Sequence, residues 1–89
     1  MSRTRIEKLY NKAKKSPNNL SFSDLCLLLE KVGFEFRRQK GSPLTFKHPQ
    51  IQNIEGIQEV QNVKGKAKAY QVKQVLDKID SHNLYQGRE

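Results

Sequence analysis

The chain has 89 residues and is strongly basic, with 17 Lys and Arg against 9 Asp and Glu and a formal net charge of +8. This length allows one small domain with a single core, and the charge favours a polyanionic partner, with nucleic acid as the first candidate. A single cysteine excludes an intrachain disulfide, and because neither a signal peptide nor a run of about 20 apolar residues is present, we expect a cytoplasmic protein without a membrane span.

A narrow apolar stripe predicts a first helix over residues 3–15, followed by a linker at residues 16–19. The stripe consists of Ile6, Leu9, Tyr10 and Ala13. The opposite face is basic, with Glu7 as its one acid, and carries Arg3, Arg5, Lys8, Lys12, Lys14 and Lys15. A solvated face is the simpler interpretation of this charge run, and affinity for nucleic acid or acidic lipid is the alternative.

An S-x-x-D start at Ser21 and Asp24 predicts a second helix, and Gly33 stands where a C-terminal cap is expected. Its broad apolar face comprises Phe22, Leu25, Cys26, Leu28, Leu29 and Val32. Because Cys26 lies on this face, we interpret it as a small core residue rather than a nucleophile.

Residues 34–48 alternate apolar and polar positions around a turn at residues 40–43, which predicts a β-hairpin. We expect Phe34 and Phe36 to share one strand face and to pack with Leu44 and Phe46 of the second strand. The outward side chains are then Arg37, Thr45 and Lys47. A cationic outer face suits a phosphate backbone, and the alternative is a solvated face whose charge only keeps the protein soluble.

The remainder predicts an irregular loop at residues 50–56, a weakly marked third strand at 57–63, a lysine-rich turn at 64–68 and a last helix at 69–82. The apolar face of that helix is Val72, Val75, Leu76 and Ile79. We expect Leu84 and Tyr85 to fold back on the core and residues 86–89 to form a tail.

Acidic residues are unevenly distributed. The tract between Glu35 and Glu55 and the tract between Glu59 and Asp77 each contain four cations and no acid. If the lysine-rich turn lies beside the hairpin, the tracts merge into one basic surface, to which the N-terminus of the last helix adds partial positive charge. Otherwise they are two unrelated solvated patches.

Three motifs in this order and spacing resemble the HicA toxin family over about residues 22–84. They are Arg38-Gln39-Lys40-Gly41-Ser42, Phe46-Lys47-His48-Pro49 and Gly65-Lys66-Ala67-Lys68-Ala69-Tyr70-Gln71-Val72. The resemblance implies a small α+β fold of the double-stranded-RNA-binding type, α-β-β-β-α, here with an extra N-terminal helix. It also implies a ribosome-independent mRNA interferase neutralised by a HicB antitoxin. We therefore expect one domain over residues 1–89, with a helix and linker at 1–20, a HicA-like core at 21–85 and a tail at 86–89.

One position departs from the family pattern. The family's turn reads Gly-Ser-His, and RNA cleavage depends on that histidine, where this chain has Pro43. Metal-free cleavage requires the 2′-hydroxyl to lose a proton and the leaving oxygen to gain one, and imidazole does either near neutral pH whereas proline does neither. We therefore predict mRNA interferase activity that is weakened or lost.

The two histidines, His48 and His82, are assigned separately. His48 matches the family's other histidine, but its strand phase is that of Phe46, so we predict a structural or phosphate-contacting side chain, with catalysis as the alternative. His82 lies near the C-terminal end of the last helix. We interpret it as a residue that interacts favourably with the helix dipole rather than as a metal ligand. Because they lie far apart without suitable Cys or carboxylate spacing, we expect no metal site and no cofactor.

The leading functional hypothesis is a toxin-family protein that binds mRNA, is monomeric when free and has a HicB-type antitoxin as its protein partner. The predicted RNA contacts are Arg37, Arg38, Lys40, Ser42, Lys47, Lys64, Lys66 and Lys68. The candidates for base stacking are Tyr10, Tyr70 and Tyr85. Two alternatives are an active metal-independent ribonuclease that uses His48, and a module that binds an acidic protein partner without RNA.

Overall fold

A computed structural model of the protein describes residues 5–39 and 44–84. Within these ranges the helices are α1 (Arg5–Lys15), α2 (Phe22–Lys31) and α3 (Ala69–Ser81). The strands are β1 (Glu35–Gln39), β2 (Leu44–Lys47), β3 (Ile57–Val60), β4 (Asn62–Val63) and β5 (Lys66–Ala67). Short 3₁₀ turns occupy Pro17–Asn19 and Ile54–Gly56. An antiparallel sheet has the order β1-β2-β3, and β4 pairs with β5 in a separate hairpin.

The predicted fold is confirmed. The protein is α+β, and the order helix, three strands, helix is that of a small domain of the double-stranded-RNA-binding type, with α1 added at the N-terminus. In the predicted stripe of α1, Ile6, Leu9 and Ala13 are buried and Tyr10 is half-buried, and α1 packs against both α2 and α3. Leu84 is buried, as expected, because the chain turns back after α3, whereas Tyr85 and the tail lie outside the described residues.

The predicted caps of α2 are present. The Ser21 Oγ accepts a hydrogen bond from the Asp24 backbone N–H at 3.1 Å. Gly33 has a φ of +108°, which allows the Phe34 N–H to donate back to the Leu29 carbonyl at 2.9 Å. The direction in which the chain leaves α2 toward the hairpin is therefore set by this glycine.

Phe34 and Phe36 both make ring contacts with the second half of the hairpin, Phe34 with His48 and Phe36 with Phe46, but they differ in burial. Phe34 is buried, whereas Phe36 is 52% exposed. Phe34 precedes β1 and lies next to α2, whereas Phe36 lies within β1, which in the described sheet has no strand on its other side. Phe36 does lie opposite Phe46, with ring centroids 5.8 Å apart, but on the outermost strand of the sheet.

The lysine-rich turn is more regular than predicted. Lys64 and Gly65 both have positive φ, +54° and +87°, the pattern of a two-residue type I′ hairpin turn between β4 and β5. The Gly65 N–H donates to Asn62 Oδ1 at 2.7 Å. These strands are two residues long, too short for the alternation by which a strand is recognised in a sequence.

Candidate nucleic-acid interface

The outer face of the β1–β2 hairpin carries exposed cations. The pairing register shifts between Phe36 and Arg38, which makes Arg37 an extra residue in β1. Arg37 and Lys47 are both exposed and line a cavity of about 380 Å³. Glu35 faces Lys47 across the strands, and its carboxylate lies 3.9 Å from the Arg37 guanidinium. Two cations and one carboxylate therefore define what we call the hairpin surface.

Several predicted contacts of this surface fall outside what the structure describes. Lys40, Ser42 and Pro43 lie outside the described residues, as does the side chain of Arg38. Thr45, predicted to point outward, is half-buried. The roles assigned to the turn therefore remain predictions.

The lysine turn, Lys64 to Lys68, rests on the beginning of α2. The Phe22 N–H donates to the Gly65 carbonyl at 3.0 Å, and the Lys66 amine donates to Asn19 Oδ1 at 3.2 Å. The Lys68 amine lies 5.8 Å from the centre of the Tyr70 ring, within cation–π range. These contacts hold the turn in one place, with Lys64 and Lys66 exposed.

The sheet register relates the two basic regions. Leu44, the first residue of β2 after the hairpin turn, pairs with Val60, the last residue of β3. The chain therefore departs toward the lysine turn from the end of the sheet at which the hairpin turn lies. One continuous basic surface stays a prediction, since the described hydrogen bonds of the lysine turn run to residues 19–22, to Asn62 and to the start of α3.

His48 is completely buried, and both nitrogens of its ring are hydrogen-bonded to backbone groups. Its Nε2 lies 3.0 Å from the Val32 carbonyl, and its Nδ1 accepts from the Gln50 N–H at 3.2 Å. Because a carbonyl only accepts, Nε2 carries the proton and the ring is the neutral tautomer. Its ring also stands edge-to-face on Phe34. This geometry favours the structural interpretation of His48, since both nitrogens are engaged away from solvent.

The loop after His48 closes around a glycine. The His48 N–H donates to the Gly56 carbonyl at 2.8 Å, and the Ile51 N–H donates to the His48 carbonyl at 3.1 Å. A Cβ added at Gly56 would lie 2.2 Å from the Ile51 carbonyl oxygen. Only glycine fits this close backbone approach, and the loop predicted as irregular is therefore tightly packed.

His82 ends α3, as predicted, and has a partner that the sequence did not reveal. Its Nε2 lies 2.8 Å from the Glu55 carboxylate in the second 3₁₀ turn. Cys26 is half-buried, and burial raises the pKa of its thiol to about 11. A neutral thiol at physiological pH supports its assignment to the core rather than to nucleophilic chemistry.

The tyrosines differ in their surroundings. The Tyr10 hydroxyl donates to Asp80 at 2.5 Å, which ties α1 to α3, and burial together with this hydrogen bond raises the pKa of Tyr10. Tyr70 is 55% exposed and is not a core residue. Tyr85 lies outside the described residues. Of the two stacking candidates that the structure describes, Tyr70 has the more accessible ring.

A second concave surface was not predicted. A groove of about 610 Å³ lies between β3 and α3, and its lining includes carboxylates from three separate segments. The only sign of this groove in the sequence is the position of the acids at the ends of the two cation-rich tracts. Within residues 5–39 and 44–84, no group of three or more His, Cys, Asp or Glu side chains is arranged to hold a metal ion.

The comparisons with known proteins bear on the region from α2 to α3. No helix in the described part of the chain is long and apolar enough to cross a bilayer. A comparison with curated proteins and one with solved structures gave no match. The family model described as the HicA toxin of bacterial toxin-antitoxin systems matches residues 22–80, more than half of the chain. The chain therefore belongs to the HicA toxin family.

Proposed function

We propose that the protein binds RNA through the hairpin surface together with the lysine turn, and that its mRNA interferase activity is weakened or lost because of Pro43. The observation that carries the binding proposal is the pair Arg37 and Lys47, two exposed cations on neighbouring strands that line one cavity. A phosphate in this cavity would meet a guanidinium and an ammonium at the same time.

The hairpin suits this task because pairing on both sides holds β2 rigid. Lys47 lies opposite Glu35 on β1 and opposite Ile57 on β3, so its backbone does not need to order on binding. Arg37 offers a planar fork of donors that matches two phosphate oxygens. Glu35 weakens the local positive field, and a phosphate therefore competes with its carboxylate for the Arg37 guanidinium.

The lysine turn extends the proposed surface. Its lysines are Lys64, Lys66 and Lys68. They precede α3 directly, where the first backbone N–H groups of the helix favour an anion. Their contribution is electrostatic and independent of base sequence, and it adds to the salt dependence of binding.

The cleavage proposal rests on the residues that could move protons. Cleavage without metal requires a titratable group at the 2′-hydroxyl, and Pro43 has none. His48 is buried with both ring nitrogens in hydrogen bonds, and the His82 ring is bound to Glu55. Neither replaces the histidine on which the family's cleavage depends. We infer a cytoplasmic RNA-binding protein, with a HicB-type antitoxin as the protein partner that family membership implies.

An RNA cleavage assay at neutral pH with chelator present tests the cleavage proposal. We expect Pro43→His to cleave about 10²–10⁴-fold faster than the natural protein, since this is the usual contribution of one general acid or base. Pro43→Ala is the matched control, because it removes the proline ring without adding a titratable group. Natural protein that cleaves as fast as Pro43→His would contradict the assignment, and His48→Gln would then be the next variant.

RNA affinity measured against salt concentration separates RNA binding from the alternative of an acidic protein partner. Each phosphate that a cation neutralises lowers the slope of log K against log salt by about 0.7 for single strands. We expect a steep slope that becomes shallower by about this amount in Lys47→Ala. Absent or salt-insensitive binding of RNA would favour the protein-binding module.

A further inference from the structure

The groove between β3 and α3 differs in chemistry from the hairpin surface, and we call it the β3–α3 groove. Its volume is about 610 Å³. The side chains that define it are Ile54, Glu55, Ile57, Glu59, Tyr70 and Asp77. They alternate apolar surface with carboxylates, a combination that neither the packing of the core nor RNA binding requires.

The charge of the groove opposes that of the chain. Three of the nine acids, Glu55, Glu59 and Asp77, line it in a protein of net charge +8. The lining includes one cation, Lys78, whose amine donates to the Ile57 carbonyl at 2.6 Å. Burial lowers the pKa of Lys78, against the opposing effect of Glu55. A phosphate backbone would be repelled here, whereas a cation would be attracted.

The groove also gathers exposed apolar surface. Among the described side chains, five large hydrophobic residues are exposed, and Ile54, Ile57 and Tyr70 line this one groove. Ile54 is 80% exposed. Apolar residues scattered singly need no explanation, but a contiguous group rimmed by polar residues marks an interaction site.

A buried acceptor completes the site. Gln58 is 2% exposed and lines the groove, and its Nε2 donates to the Glu59 carbonyl at 2.9 Å and to Gln74 Oε1 at 3.1 Å. Its Oε1 is buried and, among the described residues, has no hydrogen-bond partner. An unsatisfied buried acceptor is costly, so an N–H donor from a ligand would be stabilising there.

We propose that the β3–α3 groove binds a segment of a partner protein that carries lysine or arginine beside apolar side chains. The cations meet the three carboxylates, and the apolar side chains pack on Tyr70 and Ile57. Addition of a strand to β3 is disfavoured, because the carbonyls of Ile57 and Glu59 already accept from Lys78 and Gln58. This binding needs no RNA and goes beyond the proposed function.

The full-length ¹⁵N-labelled protein, titrated with a short peptide of alternating lysine and leucine, tests the proposal without RNA. We expect the backbone amide of Ile57 and the side-chain amides of Gln58 and Gln74 to shift, while the backbone amide of Glu30 on α2 stays in place. Binding is informative because a peptide cation is repelled by the chain as a whole and must find local carboxylates. A peptide of alternating glutamate and leucine is the matched control probe.

Matched variants separate the groove from general charge. Asp77→Lys should lower the affinity for the lysine–leucine peptide about tenfold, because it places a positive charge in the groove where the peptide cations bind. Glu30→Lys makes the same change of charge at an exposed site on α2 and should weaken it less than about twofold. Ile54→Ser should weaken peptide binding more than Val63→Ser, a similar change from an exposed apolar residue to serine outside the groove lining.

Three outcomes would overturn the proposal. The amide signals of Ile57, Gln58 and Gln74 could stay unshifted when the lysine–leucine peptide is added. Asp77→Lys and Glu30→Lys could also lower the affinity for this peptide equally. An RNA oligonucleotide that shifts the groove signals in place of the peptide would assign the groove to RNA. Failure of RNA to bind the hairpin surface would leave the groove result unaffected, so the two proposals fail separately.

Discussion

The hairpin surface and the β3–α3 groove are supported by the same three-stranded sheet and differ in sign and construction. Arg37 and Lys47 stand exposed on β1 and β2, with little apolar surface around them. At the opposite edge, Glu59 and Asp77 stand beside Tyr70 in a larger concavity. Within a net charge of +8 there are therefore two surfaces of opposite local charge, and the placement of the acids distinguishes them.

One buried residue connects the two regions. His48 follows Lys47 of the hairpin surface, and its backbone N–H is bonded to Gly56, next to Glu55 and Ile57 of the groove. Its ring reaches across to the Val32 carbonyl at the end of α2. Substitution of His48 should therefore affect both the hairpin surface and the β3–α3 groove, whereas substitution of a residue within one of these surfaces should act mainly on that surface.

The largest effect is expected from His48→Ala. The variant leaves the buried Val32 carbonyl without this donor and opens a cavity beside Phe34, and together these should lower the free energy of unfolding by about 3 kcal/mol or more. Urea unfolding measures the loss, and RNA and peptide affinity should both fall. A loss below about 1 kcal/mol would contradict the structural role of His48.

Gly56→Ala should have the next largest effect and should disturb the groove more than the hairpin surface. Its Cβ would lie 2.2 Å from the Ile51 carbonyl oxygen, so backbone must shift, at a cost of about 2 kcal/mol. Gly65→Ala is the matched control, because its Cβ meets open space and only the positive φ is strained, at about 1 kcal/mol. Thermal unfolding that ranks the two variants in the reverse order would be inconsistent with this packing.

Lys47→Glu should act on the hairpin surface alone. We expect RNA affinity to fall about tenfold through a lost phosphate contact and an added repulsion, while binding of the cationic peptide in the groove is not weakened, because the change adds negative charge opposite Ile57. Lys8→Glu makes the same change of charge on α1, whose basic face we interpret as solvated. An equal loss in Lys8→Glu would mean that RNA follows net charge rather than the hairpin surface.

The smallest effect is expected from His82→Gln, which alters only the rim of the groove. The pair of His82 with Glu55 is partly exposed, so its loss should change the free energy of unfolding by less than about 1 kcal/mol. Urea unfolding beside His48→Ala makes the comparison direct. Similar losses in the two variants would remove the distinction between a buried and a rim histidine.

The sequence predicted the features that depend only on residues close to one another in the chain. The caps of α2 at Ser21 and Gly33, the stripe of α1 and the apolar face of α3 all follow from spacing within one segment. The different burial of Phe34 and Phe36 did not, because it depends on β1 being the outermost strand of the sheet. The groove was missed for a related reason, since β3 and α3 meet only through tertiary packing.

Helix α1 lies outside residues 22–80, which match the family, yet its side chains hold the matched region together. Ile6 and Ala13 are fully buried against the other helices, Tyr10 is bonded to Asp80, and Lys12 lies 2.7 Å from Asp24. A fragment that begins at the family boundary would lack α1. It would expose the hydrophobic surface of α2 and α3 that α1 covers and would be prone to self-association. The part of the chain that matches the family is thus shorter than the part that shares its core, and we expect α1 to be needed for a stable fold.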